Sequence, residues 1–217
     1  MQLEDMPHKI LIIIIILIAM GISAVILVDG SSLQPKAETQ PTKLYSCSNF
    51  GAELPTASIS YDDNDLIRYK LEKYNIDMSP PLKFSGAKAA EYCSFFADGS
   101  VPLYCTSTEL VRNGEFLGNI HMVGTNDGPS AVLGVVQSDT ITSGMEVVTI
   151  VTDSITENVF DCMGGISGPW IEQLSERHVV ERLTTKSTIN GLPMPVLLEL
   201  TGSPGNYLWK ILIGNAT

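Results

Sequence analysis

Apolar and polar positions follow three regimes along the chain. Residues 10–28 form an uncharged run in which fourteen of 19 residues are Ile, Leu or Val. At about 1.5 Å per residue a helix over this run is roughly 28 Å long, close to the ~30 Å hydrocarbon core of a bilayer. The pattern predicts a transmembrane helix. A cleaved signal peptide has a shorter apolar core, of about 7–15 residues, and a small-residue cleavage site. Leu27-Val28-Asp29-Gly30 lacks that site, and Lys9-Ile10 lacks the small residue of a prepilin-like junction. Residues 29–42 then read DGSSLQPKAETQPT, a flexible tether spanning roughly 20 Å at about 5–6 Å × √n. Residues 1–9 form a short cytoplasmic tail in this reading, and 43–217 are the remaining domain, long enough to bury one core.

Within 43–217 two periodicities alternate. Asp63-Asn64-Asp65 precede LIRYKLEKY, where Ile67, Leu71 and Tyr74 recur at helical spacing behind residues able to cap an N-terminus; a strand with Ile67, Tyr69 and Leu71 on one face is the alternative. The segment GAKAAEYCSFFA places Ala89, Ala90, Cys93 and Phe96 on one stripe before Asp98-Gly99, predicting a second helix. TELVR and EFLGNIHMV flank Asn113-Gly114, a hairpin signal because both turn positions tolerate positive φ. SAVLGVVQS and MEVVTIVTD are rich in β-branched residues and read as further strands. Gly168-Pro169 opens a third helix with Trp170, Ile171, Leu174 and His178 on one face. Val179, Val180 and Leu183 fall outside that face, which predicts a helix end near Arg177 and a strand running to Thr188. A turn at Asn190-Gly191, the strand PVLLELT, a turn at Gly202-Ser203-Pro204-Gly205 and NYLWKILIG complete a three-stranded antiparallel meander. Tyr207, Trp209, Ile211 and Ile213 alternate onto one face with Val196, Leu198 and Leu200, and an aromatic contact to Trp170 is expected. An exposed Tyr207/Trp209 platform for a ligand such as a glycan is the competing reading. The fold class is therefore α+β: an N-terminal transmembrane helix, then one mainly antiparallel-sheet domain with two or three helices.

Charge and cysteines locate the domain. Thirteen Lys+Arg against 24 Asp+Glu give a net charge of −11, unsuited to a nucleic-acid partner, which needs a basic footprint. Lys9 before the apolar run and Lys36 and Lys43 after it nearly balance, so the charge rule hardly orients the span. All four cysteines (Cys47, Cys93, Cys105, Cys162) lie beyond the apolar run, an even count compatible with two disulfides in an exported domain. The expected topology is single-pass in the cell membrane, N-terminus inside and C-terminal domain outside, with the lipid bilayer held through residues 10–28. The preferred pairing is Cys93–Cys105 with Cys47–Cys162. The opposing possibility is four reduced, buried cysteines in a cytoplasmic domain.

Candidate chemistry is sparse. Cys162-Met163-Gly164-Gly165 places a thiol before a helix start, where amides and the helix dipole would favour a thiolate, with His178 or His121 as base. His121-Met122 and Cys162-Met163 carry copper-compatible atoms, but no residue spacing forms a metal motif. Asp62-Asp63-Asn64-Asp65 is dense in oxygen without the glycine and distal Glu of a calcium loop. Residues 101–167 hold eight acids and one base, Arg112, which reads as a solvated acidic face. Ser167 in GISGP is a loop serine beside a helix N-terminus, where a small anion can sit. Asn215-Ala216-Thr217 is a glycosylation sequon at the chain end. No catalytic or metal residue, and no cofactor, is assigned. The reading is a membrane-anchored extracytoplasmic binding or envelope-assembly module; the alternative is a surface-anchored hydrolase using Cys162 or carboxylates.

Overall fold

The computed structural model describes residues 57–93, 103–160, 167–189 and 192–214. The apolar run 10–28, the tether 29–42, Cys47, Phe96, Asp98-Gly99, Cys162 with its glycines, Asn190-Gly191 and the sequon all lie outside these residues. None of the described helices is long and apolar enough to cross a membrane. The described part is an α+β fold of eight antiparallel strands and four helices.

Helix α1 (Asp63–Glu72) buries Ile67 and Leu71, as their spacing predicts. Its start is capped differently from the expectation. Asp62 makes no side-chain cap; Ser60 Oγ accepts the Asp62 N–H, and Asp63 returns a bond to the Ser60 N–H at 2.7 Å. Tyr74 lies past the helix end and is exposed; Asn75 turns the chain at φ 55° and Ile76 enters the core in its place. Two short strands, β1 (Asp77–Met78) and β2 (Leu82–Ser85), pair with opposite ends of β3 (Tyr104–Arg112). Between them and β3 lies the six-residue helix α2 (Ala87–Tyr92), with Ala89 and the following Cys93 buried.

Strand β4 (Glu115–Thr125) forms the expected hairpin with β3 through Asn113 and Gly114, at φ 54° and 80°. Strand β5 (Gly128–Ser138) continues the meander. The chain then forms helix α3 (Ile141–Phe160), which corrects the reading of MEVVTIVTD as a strand. Thr140 caps it, its Oγ1 accepting the Ser143 N–H at 3.1 Å. Gly144, Val147, Val148, Val151, Ile155 and Val159 recur at helical spacing, and all are buried. Burial of that stripe outweighs the strand preference of its β-branched residues, a weak local term.

Helix α4 (Ser167–Glu181) also runs one turn beyond the predicted end. Val179 and Val180 are helical and Leu183 follows the helix end, all three exposed; the phase change marks a solvent-facing apolar cluster and not a strand. Arg182, at φ 54°, ends the helix with its N–H on the His178 carbonyl. Then β6 (Thr185–Ile189), β7 (Val196–Ser203) and β8 (Asn206–Gly214) form the predicted meander.

The strand order is β1-β3-β4-β5-β8-β7-β6, so two meanders join side by side through β5 and β8. One face of the sheet carries α1, α3 and α4 over a single core. That core includes Ile120, Met122, Val132, Val136, Trp209, Ile211, Ile213 and Leu198 from the sheet. At Gly134 on β5 a side chain would press within 3.1 Å of Val151, so the glycine sets how closely α3 crosses the sheet. The opposite face holds a small second cluster in which Ala89 and Cys93 of the α2 segment meet Cys105, Val123 and Leu133. The expected Cys93–Cys105 disulfide lies inside it.

Candidate functional site

His178 is a core residue. It is buried on the inner face of α4, with Nδ1 3.2 Å from Thr185 Oγ1 and Nε2 3.3 Å from the Gly202 carbonyl. Its ring meets Tyr207 edge-on at 5.9 Å. This is the aromatic contact between α4 and the sheet, where the sequence pointed to Trp170 and Trp209. Those two indoles serve separate contacts: Trp170 donates to Ser187 Oγ at 2.8 Å, and Trp209 to Ser138 Oγ at 3.3 Å. Tyr207 and Trp209 are both buried, which overturns the exposed-platform reading.

The thiol-nucleophile constellation is not assembled from the described residues. His178 lies eleven residues along α4 from Ser167, about 16 Å at the helical rise, so it stands at the far end of the helix from the GISGP start. His121 belongs to the opposite sheet face, pairing across the strands with Ser107 and Leu133. Burial lowers its pKa to about 4, so it is a neutral imidazole at pH 7. Met122 points to the other side of β4, into the main core, where its sulfur accepts from Asn64 Nδ2 at 3.4 Å. The copper-compatible pair therefore faces opposite ways, as alternating strand positions must. Among the described residues no group of three His, Cys, Asp or Glu is placed to hold a metal ion.

The acids also have separate duties. Asp63 accepts the Ser60 N–H, Asp65 pairs with Arg68, and Asn64 is buried, donating to the Tyr61 carbonyl and to Met122, so the 62–65 run does not converge on a cation. Burial raises the Asp63 pKa, partly offset by the Ser60 bond, and Asp62 adds to the rise. The acids of 101–167 do not form the single face expected. Glu115 and Asp127 flank opposite ends of the eleven-residue β4, about 35 Å apart. Glu146 pairs with Arg112 at 2.9 Å and Glu157 with Lys70 at 2.6 Å. Asp153 accepts from Ser167 Oγ at 2.6 Å. Ser167 is thus the buried first residue of α4, and its hydroxyl is tied to α3.

The sheet face opposite α1, α3 and α4 presents a different surface. Here β5, β8 and β7 set Val135, Leu208, Leu212 and Leu197 half-buried, with Val135 and Leu212 packed against the cluster under α2. Across them runs a ladder of Lys210, Glu199 and Lys186, cross-strand partners by register. Glu199 lies 2.9 Å from Lys186 and 3.5 Å from Lys210. Burial pushes the Glu199 pKa up, but the Lys186 bond and the two ammonium charges outweigh it, leaving the carboxyl below its ordinary value. Sequence reading missed this ladder because register, not spacing along the chain, brings the three residues together. No protein-family model, curated protein or solved structure matches the chain.

Proposed function

We propose that the chain is a single-pass membrane protein whose C-terminal domain lies outside the cytoplasm and works as a binding or envelope-assembly module. The apolar run 10–28, the polar tether and the Cys93–Cys105 disulfide support that placement. The observation that carries the binding role is the sheet face on which half-buried Leu197, Leu208 and Leu212 flank the Lys210–Glu199–Lys186 ladder. Aliphatic side chains on either side of a fixed charge ladder suit recognition of another surface more than bond-making chemistry. The polar side chains with catalytic potential, His178, Ser167 and Asp153, are engaged in holding α4 to the sheet and to α3.

A photo-crosslinking residue placed at Leu197 or Leu212 in native membranes tests the reading. Discrete adducts at both sites, absent from the exposed α1 position Glu72, are the expected result. Adducts no stronger at Leu197 and Leu212 than at Glu72 would remove the binding face.

A further inference from the structure

Among the described residues the edge strand β6 carries a set of backbone hydrogen-bonding groups that no neighbouring strand pairs, with a defined register. Ser203 and Asn206 close the β7–β8 hairpin around a two-residue turn, so Thr201, Glu199 and Leu197 exchange bonds with β8. The alternate residues Leu200, Leu198 and Val196 then bond toward β6, to Thr185, Ser187 and Ile189. It follows that the N–H and C=O groups of Lys186 and Thr188 point away from the sheet. The Arg177 guanidinium confirms the direction: it donates to the Lys186 carbonyl at 2.7 Å, reaching over from α4. Among the described residues β6 is the last strand on its side of the sheet.

We propose that a second copy of this chain pairs with β6 antiparallel about a two-fold axis at Ser187. In that register Lys186 of one copy lies opposite Thr188 of the other, and the reverse, giving two hydrogen-bonded pairs and four backbone bonds. Each Arg177 gives up its bond to Lys186, which the incoming Thr188 N–H replaces. The like-charged Lys186 side chains are not opposite one another. Helix α4 lies over β6 and β7, bonded to Ser187, Thr185 and Gly202. With strands about 4.8 Å apart, the two α4 helices then run about 10 Å apart, at the upper end of the 8–10 Å of packed helices. Arg177 marks the stripe of α4 facing that edge, and Gln173 and Val180 share it at helical spacing. Val180 is 82% exposed, an aliphatic side chain that the partner helix would cover.

Charge favours the same surface. The chain as a whole is −11, which opposes self-association. Residues 167–189, which form the proposed contact, hold Glu172, Glu176 and Glu181 against Arg177, Arg182 and Lys186, and so are neutral. This surface is separate from the aliphatic sheet face and does not depend on the binding role argued above.

Native mass spectrometry of the full chain released from detergent micelles provides the test, with Thr188→Pro and Val180→Glu. Proline at 188 removes an outward N–H and leaves the β7 ladder intact, so the protomer should keep its melting temperature. Twice the 23.5 kDa chain mass is expected for the unaltered protein and the single mass for each variant. A chain that is monomeric throughout, or a dimer that persists in both variants, would overturn the proposal. Should Thr188→Pro lower the melting temperature, Val180→Glu, an exposed position, decides the matter.

Discussion

Gly144→Ala separates local propensity from packing, because the two predict opposite signs. In a helix interior alanine is more favourable than glycine by about 1 kcal/mol, so propensity alone predicts a gain. Gly144 lies in the first turn of α3, and a Cβ built there overlaps the indole nitrogen of Trp209 and the Ser138 hydroxyl. The indole is fully buried and cannot swing into solvent, and Ser138 is its hydrogen-bond partner. Overpacking of this kind costs about 1–3 kcal/mol, and loss of the Trp209–Ser138 bond adds about 1 kcal/mol. Against the helix gain, the net expectation is destabilisation by about 1–3 kcal/mol. For a domain of this size that lowers the melting temperature by roughly 3–10 °C. Urea denaturation of residues 43–217 with and without the change measures it directly. The double change with Trp209→Phe should show coupling of at least about 1 kcal/mol, since the clash is with the indole. An alanine variant as stable as the parent, or more stable, refutes the packing of α3 onto β8 described here.

Other outcomes follow from the same structure. Trp209→Ala should cost about 3–5 kcal/mol in urea denaturation, as truncation of a fully buried aromatic; an unchanged midpoint would place the side chain at the surface. His121 titrates near 6.5 when unfolded and at about 4 when folded, so its contribution is complete above pH 6.5 and is lost as pH falls toward 4. At 1.36 kcal/mol per unit the loss approaches about 3 kcal/mol, and His121→Leu should flatten the stability profile in that window by a similar amount; parallel profiles for the two proteins would contradict the burial. Peptide mapping of non-reduced protein from its native membrane should return Cys93 linked to Cys105 and Cys47 linked to Cys162. The Ser58 N–H bonds the Val159 carbonyl, so the chain enters the fold beside the end of α3, three residues before Cys162. Four alkylatable thiols would reject that pairing and the exported location with it.

The strands were legible where one face is buried and the turn chemistry is explicit. Asn113, Gly114 and Gly205 supply positive-φ positions, and alternation over Val196, Leu198, Leu200 and Tyr207, Trp209, Ile211, Ile213 then fixes the register. Helix α3 was not read because Val, Ile and Thr at 147–152 suggest a strand in a nine-residue window. The longer stripe from Gly144 to Val159, with Thr140 as cap, carries the helical period. The α4 boundary is not legible because the aliphatics at 179, 180 and 183 break the phase of the buried stripe while remaining exposed, and exposure is a property of the whole fold. The same limit applies to the surfaces. The Lys210–Glu199–Lys186 ladder and the outward groups of Lys186 and Thr188 arise from strand pairing, which no local spacing encodes.

The most direct test of the account is protease treatment of intact cells carrying the full chain with distinct tags at its two ends. The anchored, outward-facing domain predicts that the C-terminal tag is removed while the N-terminal tag stays protected and remains in the membrane pellet after an alkaline carbonate wash. A C-terminal tag that survives on intact cells and is lost only after lysis, or an N-terminal tag that washes free, would contradict it.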